Sequence, residues 1–234
     1  MDANNKLGGN AWIKRFFDIH PPVFFPATGL IALFIGVTVI VGEPIERVFE
    51  VIQNGISDSF GWLYVFMVNF YLFFVLYLAF SKYGTIKLGG KKAVPEFSRG
   101  AWFSMLFSAG MGIGILFWSV AEPVFHFQSP PTEVEGQVEA ASGAMETTFL
   151  HWGLHAWGIY SLVGMALAFF AFNRKMPLAI RSVFYPIFGK RVHGRLGDVI
   201  DVFTVLATMF GLATSLGFGV QQISAGLGHI FGLK

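Results

Sequence analysis

The sequence contains no cysteine and few charged residues. The absence of cysteine excludes disulfide bonds, thiolate metal sites and cysteine nucleophiles together. Charged side chains make up 13% of the residues, against about 25% in a soluble domain. The net charge of +2 is too small to indicate a nucleic-acid partner, and no basic arm interleaved with aromatic residues is present. More than half of the residues, 54%, are hydrophobic and 28 are phenylalanine, which is typical of a membrane protein.

Two further absences concern processing and catalysis. The polar opening MDANNKLGGNAWIKRFFDIHPP is followed by no small-residue cleavage site, so we expect no removable signal peptide. No Ser/His/acid order and no pair of intramembrane carboxylates is present, so we expect no enzyme. Glu122 is the one acid inside the apolar outer end of the third span described below. Because Pro123 follows it, we expect Glu122 to end that helix at the outer interface.

Long stretches of the chain carry no charge at all. A membrane helix needs about 20 mostly apolar residues, and five charge-free windows reach that length: 21–42, 59–81, 100–121, 147–173 and 202–233. We therefore predict an all-α integral membrane protein with five transmembrane helices. The doublet Gln221-Gln222 is expected to mark the end of the fifth span.

Basic residues lie almost entirely in alternate segments. Fourteen of the 16 precede the first span or lie in the segments 82–99 and 174–195, whereas the intervening loops hold Arg47 and eight acidic residues. Basic residues near span ends stay cytoplasmic, which predicts that the N-terminus is inside. The basic segment 174–195 is then ordinary cytoplasmic charge, with docking to anionic membrane lipid as a second interpretation.

The third span contains three alternating glycines, Gly110, Gly112 and Gly114. Each glycine in a helix interior costs about 1 kcal/mol relative to alanine. Gly110 and Gly114 fit a small-residue packing seam between helices, but Gly112 faces away from that seam. The alternative is a helix unwound near the membrane midplane, where free carbonyl and N–H groups face an ion or a substrate, as in secondary transporters. The pattern alone leaves both interpretations open.

The fourth span carries two tryptophans and one tyrosine, Trp152, Trp157 and Tyr160. In a continuous helix they fall within an arc of about 140°, and such a face suits a quaternary ammonium ligand. Interfacial anchoring of Trp152 and plain helix packing are the alternatives. His151 and His155 lie on the other side without an evident third metal ligand, so we expect them to form hydrogen bonds between helices.

Several segments together resemble one transporter family. They are GMGIG at 110–114, AEP at 121–123 and HWGLHAWGIYSLVG at 151–164, with KYGTIKLG, PEFS and the fifth-span stretch DVFTVLATMFGLATSLGFGVQQISAGL. This combination resembles the betaine/choline/carnitine transporters over nearly the whole chain. The resemblance implies a bacterial inner (cell) membrane protein, active in osmoregulation, that moves a trimethylammonium compatible solute by ion-coupled symport.

The resemblance also implies a domain organisation. The family has twelve membrane helices, of which two are peripheral and ten form an inverted-repeat core. This chain would comprise a cytoplasmic N-terminal segment (1–22), two peripheral helices (23–80), a cytoplasmic loop (81–99) and three helices that begin the core (100–234). We therefore expect a chain truncated at Lys234, or one part of a split transporter. The family further implies a homotrimer.

The family's functional residues can be carried over position by position. Trp152, Trp157 and Tyr160 match the aromatic substrate box, and the glycine stretch with Gly110, Met111, Gly112 and Gly114 matches the backbone beside it. Choline-transporting members tend to have an acid at the position of Gly114, so glycine here favours a zwitterion such as glycine betaine. Choline and carnitine are the alternative substrates.

The implied coupling ion is sodium, and no other cofactor is implied. Ser108 and Met111 match backbone ligands of one sodium site, and Thr208 matches the first of two threonines of another. The second threonine is replaced by Leu212, which has no side-chain oxygen. Thr204 lies one turn before Thr208, but hydroxyls in membrane helices often bond to their own backbone.

Two classes of function follow. The first is a transporter of a small quaternary ammonium substrate. The second is a non-transporting five-span scaffold or partner subunit, in which the same glycines and aromatic residues only pack helices.

Overall fold

The computed structural model describes residues 19–110 and 112–232. Within them the regular structure is entirely helical, which confirms the all-α prediction. The helices are α1 (Pro21–Val41), α2 (Glu43–Phe80), α3 (Arg99–Gly110), α4 (Gly112–Gln128), α5 (Gln137–Trp152), α6 (Leu154–Ala168), α7 (Ile180–Val183), α8 (Tyr185–Phe188) and α9 (Arg195–Phe231). Single 3₁₀ segments occupy Lys82–Thr85 and Gly189–His193, and a π-helical turn, Phe169–Asn173, continues α6.

Four helical stretches of the described residues are long and apolar enough to cross a membrane. They are Pro21–Val41, Glu43–Phe80, Gln137–Asn173 and Arg195–Phe231. The third predicted window, 100–121, falls on α3 and α4, which have 12 and 17 residues on either side of Met111. Each is shorter than the roughly 20 residues of a span, so a fifth crossing stays a prediction.

Two helix ends differ from the sequence-based expectation. Glu122 does not end its helix, because α4 continues through Pro123 to Gln128. Proline removes a single backbone donor, and neighbouring helices compensate for this in membrane proteins. The doublet Gln221-Gln222 likewise lies inside α9, which runs to Phe231, since glutamine is a good helix former.

The chain divides into two compact units, the first comprising Met1–Gly61 and Met176–Met209. In this unit an ionic cluster joins the start of α1 to the start of α9. His20 Nε2 lies 2.7 Å from Asp198 Oδ1, and Arg181 approaches both Asp198, at 3.3 Å, and Asp201, at 2.8 Å. The contact between His20 and Asp198 therefore holds the two span beginnings together.

The second unit comprises Trp62–Lys175 and Phe210–Lys234, and in it α2 packs against α6. His155 Nε2 lies 3.3 Å from Asn69 Oδ1. One turn further along both helices, a Cβ at Gly158 would meet Leu72 Cα at 3.3 Å, so the glycine permits a close approach. Both contacts advance by three residues along each helix, so the two helices run in the same direction.

The loop after α2 is tied to the end of the π-helical turn. The Asn173 side chain accepts a hydrogen bond from the Gly89 backbone N–H at 2.8 Å and donates one to the Lys87 carbonyl oxygen at 3.1 Å. The C-terminal end of α2 and the C-terminal end of the α6 segment therefore lie on the same side of this unit.

Candidate functional site

The candidate site begins where Gly114 of α4 lies against Trp152 of α5. A Cβ at Gly114 would meet the indole ring at 3.4 Å, which is ordinary contact for a methyl group but leaves no room for a larger side chain. The helices α4 and α5 pack extensively against each other. The last glycine of the GMGIG motif and the first tryptophan of the fourth span are thus neighbours.

The carboxylate of Glu122 fixes the orientation of Trp152. The Trp152 Nε1–H donates to Glu122 Oε2 at 2.5 Å, while His151 Nδ1 lies 2.5 Å from Oε1. His126, one turn after Glu122 on α4, places its Nε2 3.4 Å from the same Oε1. Glu122 is only 8% exposed, and a buried carboxylate needs such donors. Both carboxylate oxygens are engaged, so the indole cannot rotate without losing a charge-assisted bond.

The other two aromatic residues stand on a separate helix. α5 ends at Trp152 and α6 begins at Leu154, with Gly153 extended at φ −84° and ψ −151°. A Cβ at Gly153 would lie 2.5 Å from the Phe149 carbonyl oxygen, a distance that only glycine avoids. The angular positions expected for a continuous helix therefore do not extend across this residue.

On α6 the Trp157 and Tyr160 rings form a pair. Their centroids are 5.9 Å apart with the planes tilted by 47°, and the residues are 42% and 59% exposed. Gly158 on the same helix is buried against α2. The two rings are thus presented away from that packed face and are available to further partners.

Gly114 also lines a cavity of about 330 Å³. Its lining comes from α4 and the second half of α9: Gly114, Phe117, Trp118, Gly211, Thr214, Ser215 and Phe218. Phe117 stacks on Phe218 at 4.7 Å, and Trp118 meets Phe218 edge-on at 5.3 Å. The volume falls within the range of small-molecule pockets, about 300–1,000 Å³.

The remaining predicted site residues are placed as follows. Gly110 ends α3 and Gly112 begins α4, while Met111 lies outside the described residues. Ser108 is exposed on α3 in the second unit, and Thr208 is exposed on α9 in the first unit. The hydroxyls of Thr204 and Thr208 donate to the carbonyl oxygens of Ile200 and Thr204, each at 2.8 Å. Both threonines thus bond to their own helix, as expected for hydroxyls in membrane helices.

Sequence reasoning missed the partnership of Glu122 with His126 and His151. His151 does bond another helix, as expected, and His155 bonds Asn69 of α2. The i, i+4 spacing of Glu122 and His126 was a readable signal that both side chains share one face of α4. Nothing in the sequence placed His151 beside them, because 29 residues separate it from Glu122.

Comparison with known proteins gives a consistent result. The family described as BCCT, betaine/carnitine/choline family transporter, matches residues 22–234. A glycine betaine transporter of Acinetobacter baylyi is 45% identical over 221 residues, covering 94% of this chain and 34% of that protein. A glycine betaine/proline/choline/ectoine transporter of Vibrio parahaemolyticus is 50% identical over 100% of this chain and 43% of its own length.

Another relative is named for choline. An osmo-independent choline transporter of Acinetobacter baylyi is 45% identical over 91% of this chain and 40% of its own length. The chain thus spans between a third and a half of the length of the curated relatives it matches. These relatives are named as transporters, which confirms the expectation that the chain is not an enzyme.

The family match and the apolar helices agree: the chain is an integral membrane protein and belongs to the betaine/carnitine/choline transporter family.

Proposed function

We propose that this chain takes part in the ion-driven transport of a trimethylammonium compatible solute, with glycine betaine as the preferred substrate. The observation that carries the proposal is the contact of one aromatic ring with the glycine motif, together with a pair of aromatic rings on the next helix. Trp152 is oriented by Glu122 against Gly114, and the Trp157–Tyr160 pair follows directly on α6. A quaternary ammonium group has no N–H donors, so aromatic faces are its natural partners.

The substrate preference rests on charge. Gly114 adds no negative charge beside Trp152, and a second acid there would repel the carboxylate of a zwitterion while attracting a pure cation such as choline. Two of the three relatives are named for glycine betaine, and one of these two is also named for proline, choline and ectoine, while the third is named for choline alone. Choline and carnitine are therefore the alternative substrates.

Sodium is the proposed coupling ion. Support comes from the family resemblance at Ser108, Met111 and Thr208 and from the glycines around Met111, which favour exposed backbone carbonyls. Leu212 supplies no oxygen, and the Thr208 hydroxyl already donates to its own helix. The lone pairs of the Thr208 hydroxyl oxygen stay available to a cation, because the proton that the hydroxyl donates does not occupy them.

The proposed setting is the bacterial inner membrane, with the N-terminus in the cytoplasm and the protein assembled as a homotrimer. The basic residues before the first span and in the segments 82–99 and 174–195 support this orientation. The same residues favour contact with anionic lipid headgroups at the inner surface.

The test is binding and uptake of labelled glycine betaine with and without sodium. Trp157→Ala removes one ring, and a desolvated cation–π contact is worth about 2 kcal/mol, so the apparent affinity should fall about 30-fold. Trp157→Phe keeps a ring and should lose much less. Trp62→Ala is the matched control, since Trp62 is 69% exposed on α2.

A second candidate function is the non-transporting scaffold. It is favoured by the packing contacts of the same segments. Gly158 packs against Leu72 of α2, and Gly114 packs against Trp152. A stable chain that binds no betaine would support this alternative. Betaine binding that Trp157→Ala leaves unchanged would remove the aromatic-cage argument instead.

A further inference from the structure

Three side chains with metal-binding atoms converge between α4 and α5. They are Glu122, His126 and His151, and their ligand atoms all lie within 4.8 Å of one another. Glu122 and His126 come from one face of α4, and His151 comes from the last turn of α5. The side chains of Glu122 and His126 are 10% and 12% exposed, so the group is largely shielded from solvent on the α4 side.

One of the three ligand pairs already has the separation expected in a tetrahedral metal site. Ligands about 2.1 Å from a zinc ion at tetrahedral angles are about 3.4 Å apart, and His126 Nε2 lies 3.4 Å from Glu122 Oε1. His151 Nδ1 is hydrogen-bonded to the same oxygen at 2.5 Å and must move outward when an ion replaces the shared proton. The His151 side chain is 53% exposed, so it has room to do so.

The surroundings already orient the ligands. The indole N–H of Trp152 occupies Glu122 Oε2, which leaves Oε1 directed at both imidazoles, as second-shell donors do in metal sites. His126 Nδ1 is buried and has no hydrogen-bond partner among the described residues. No second hydrogen bond therefore fixes which ring nitrogen of His126 carries the proton. Nε2 can bind an ion instead of donating a hydrogen bond to Glu122.

From this arrangement we propose that Glu122, His126 and His151 bind a divalent transition-metal ion of the zinc class and thereby clamp α4 to α5. Two imidazoles and one carboxylate are the ligand set of many zinc sites with an open fourth position. Nitrogen ligands select zinc, copper or nickel over magnesium and calcium. The exposed edge of His151 provides the entry path. The proposal is independent of the transport function, because it concerns binding alone.

The test is a zinc titration of the purified, chelator-stripped chain against a chromophoric chelator. We expect one site per chain, without competition from Mg²⁺ at the same concentration. His126→Gln and His151→Gln should each weaken binding by about 100-fold or more, since loss of a second-shell group alone costs 10–100-fold. Glutamine can still donate a hydrogen bond to Glu122, so the fold is expected to survive.

His155→Gln and His229→Gln are the matched controls and should bind zinc as the unmodified chain does. His155 bonds Asn69 of α2, and His229 is exposed near the end of α9. The proposal is overturned if the unmodified chain takes up no stoichiometric zinc, or if both ligand variants bind it with unchanged affinity.

A second measurement needs no variant. Diethyl pyrocarbonate modifies accessible histidines, and mass spectrometry reads each site separately. Saturating zinc should protect His151 and leave His229 fully reactive. Equal modification of His151 with and without zinc would refute the site even if the ligand variants failed to fold.

Discussion

At the scale of single residues, Glu122 is the most constrained side chain of the candidate site. Its two carboxylate oxygens meet an indole N–H and two imidazoles, and it is almost fully buried. A carboxylate in such a place is stable only while its donors remain. The orientation of Trp152 therefore depends on a residue 30 positions earlier in the chain.

Replacing Trp152 with phenylalanine tests this dependence. The ring remains but the N–H is lost, so Glu122 loses one hydrogen bond to a charged group, worth about 1.5–3 kcal/mol. We expect the free energy of unfolding in detergent to fall by that amount. Trp102→Phe is the control, because Trp102 is 56% exposed on α3. Equal stability of the two variants would contradict the proposed anchoring.

The sequence was informative about residue types at this site and uninformative about their long-range partners. Trp152, Trp157 and Tyr160 could be singled out because aromatic residues in one span are visible as a pattern. The bond from Trp152 to Glu122 joins two helices across 30 positions, and no local rule predicts such a distance. His126 was overlooked although its spacing from Glu122 was visible, because nothing in the sequence marked that pair as part of the site.

At the scale of elements, the break at Gly153 is the feature that periodicity could not predict. The charge-free window 21–42 agrees closely with α1, Pro21–Val41, because length and hydropathy determine a single span. The window 147–173 instead contains the end of α5, all of α6 and a π-helical turn. The sequence HWGLHAW has no proline, and glycine alone does not distinguish a break from close packing.

The break can be tested with two alanine variants. Gly153→Ala places a methyl group against the Phe149 carbonyl oxygen, whereas a Cβ at Gly164 on α6 meets nothing within 4 Å. We expect Gly153→Ala to lower the unfolding temperature and to shift tryptophan fluorescence, since the backbone must change beside Trp152. Gly164→Ala should leave both unchanged, or raise stability slightly through helix propensity. A tolerated Gly153→Ala would mean that the helix can pass through this point unbroken.

At the scale of the whole molecule, the distribution of basic residues predicts which segments face the cytoplasm. The absence of cysteine supplies a clean background for testing this. Val138→Cys at the start of α5, where Val138 is 86% exposed, should react with a membrane-impermeant maleimide in intact cells. Lys92→Cys, in the loop between α2 and α3, should react only after the membrane is permeabilised. The reverse pattern would invert the proposed orientation.

The break at Gly153 places the aromatic rings on two helices with different partners. Trp152 is fastened to α4 through Glu122, whereas α6, which bears Trp157 and Tyr160, is fastened to α2 through Asn69 and Leu72. The three rings thus stand on two separately anchored supports that share a single-residue joint. Rotation about that joint changes the spacing between Trp152 and the other two rings while both anchors stay intact. The proposed aromatic cage would then assemble in one state of the protein and come apart in another.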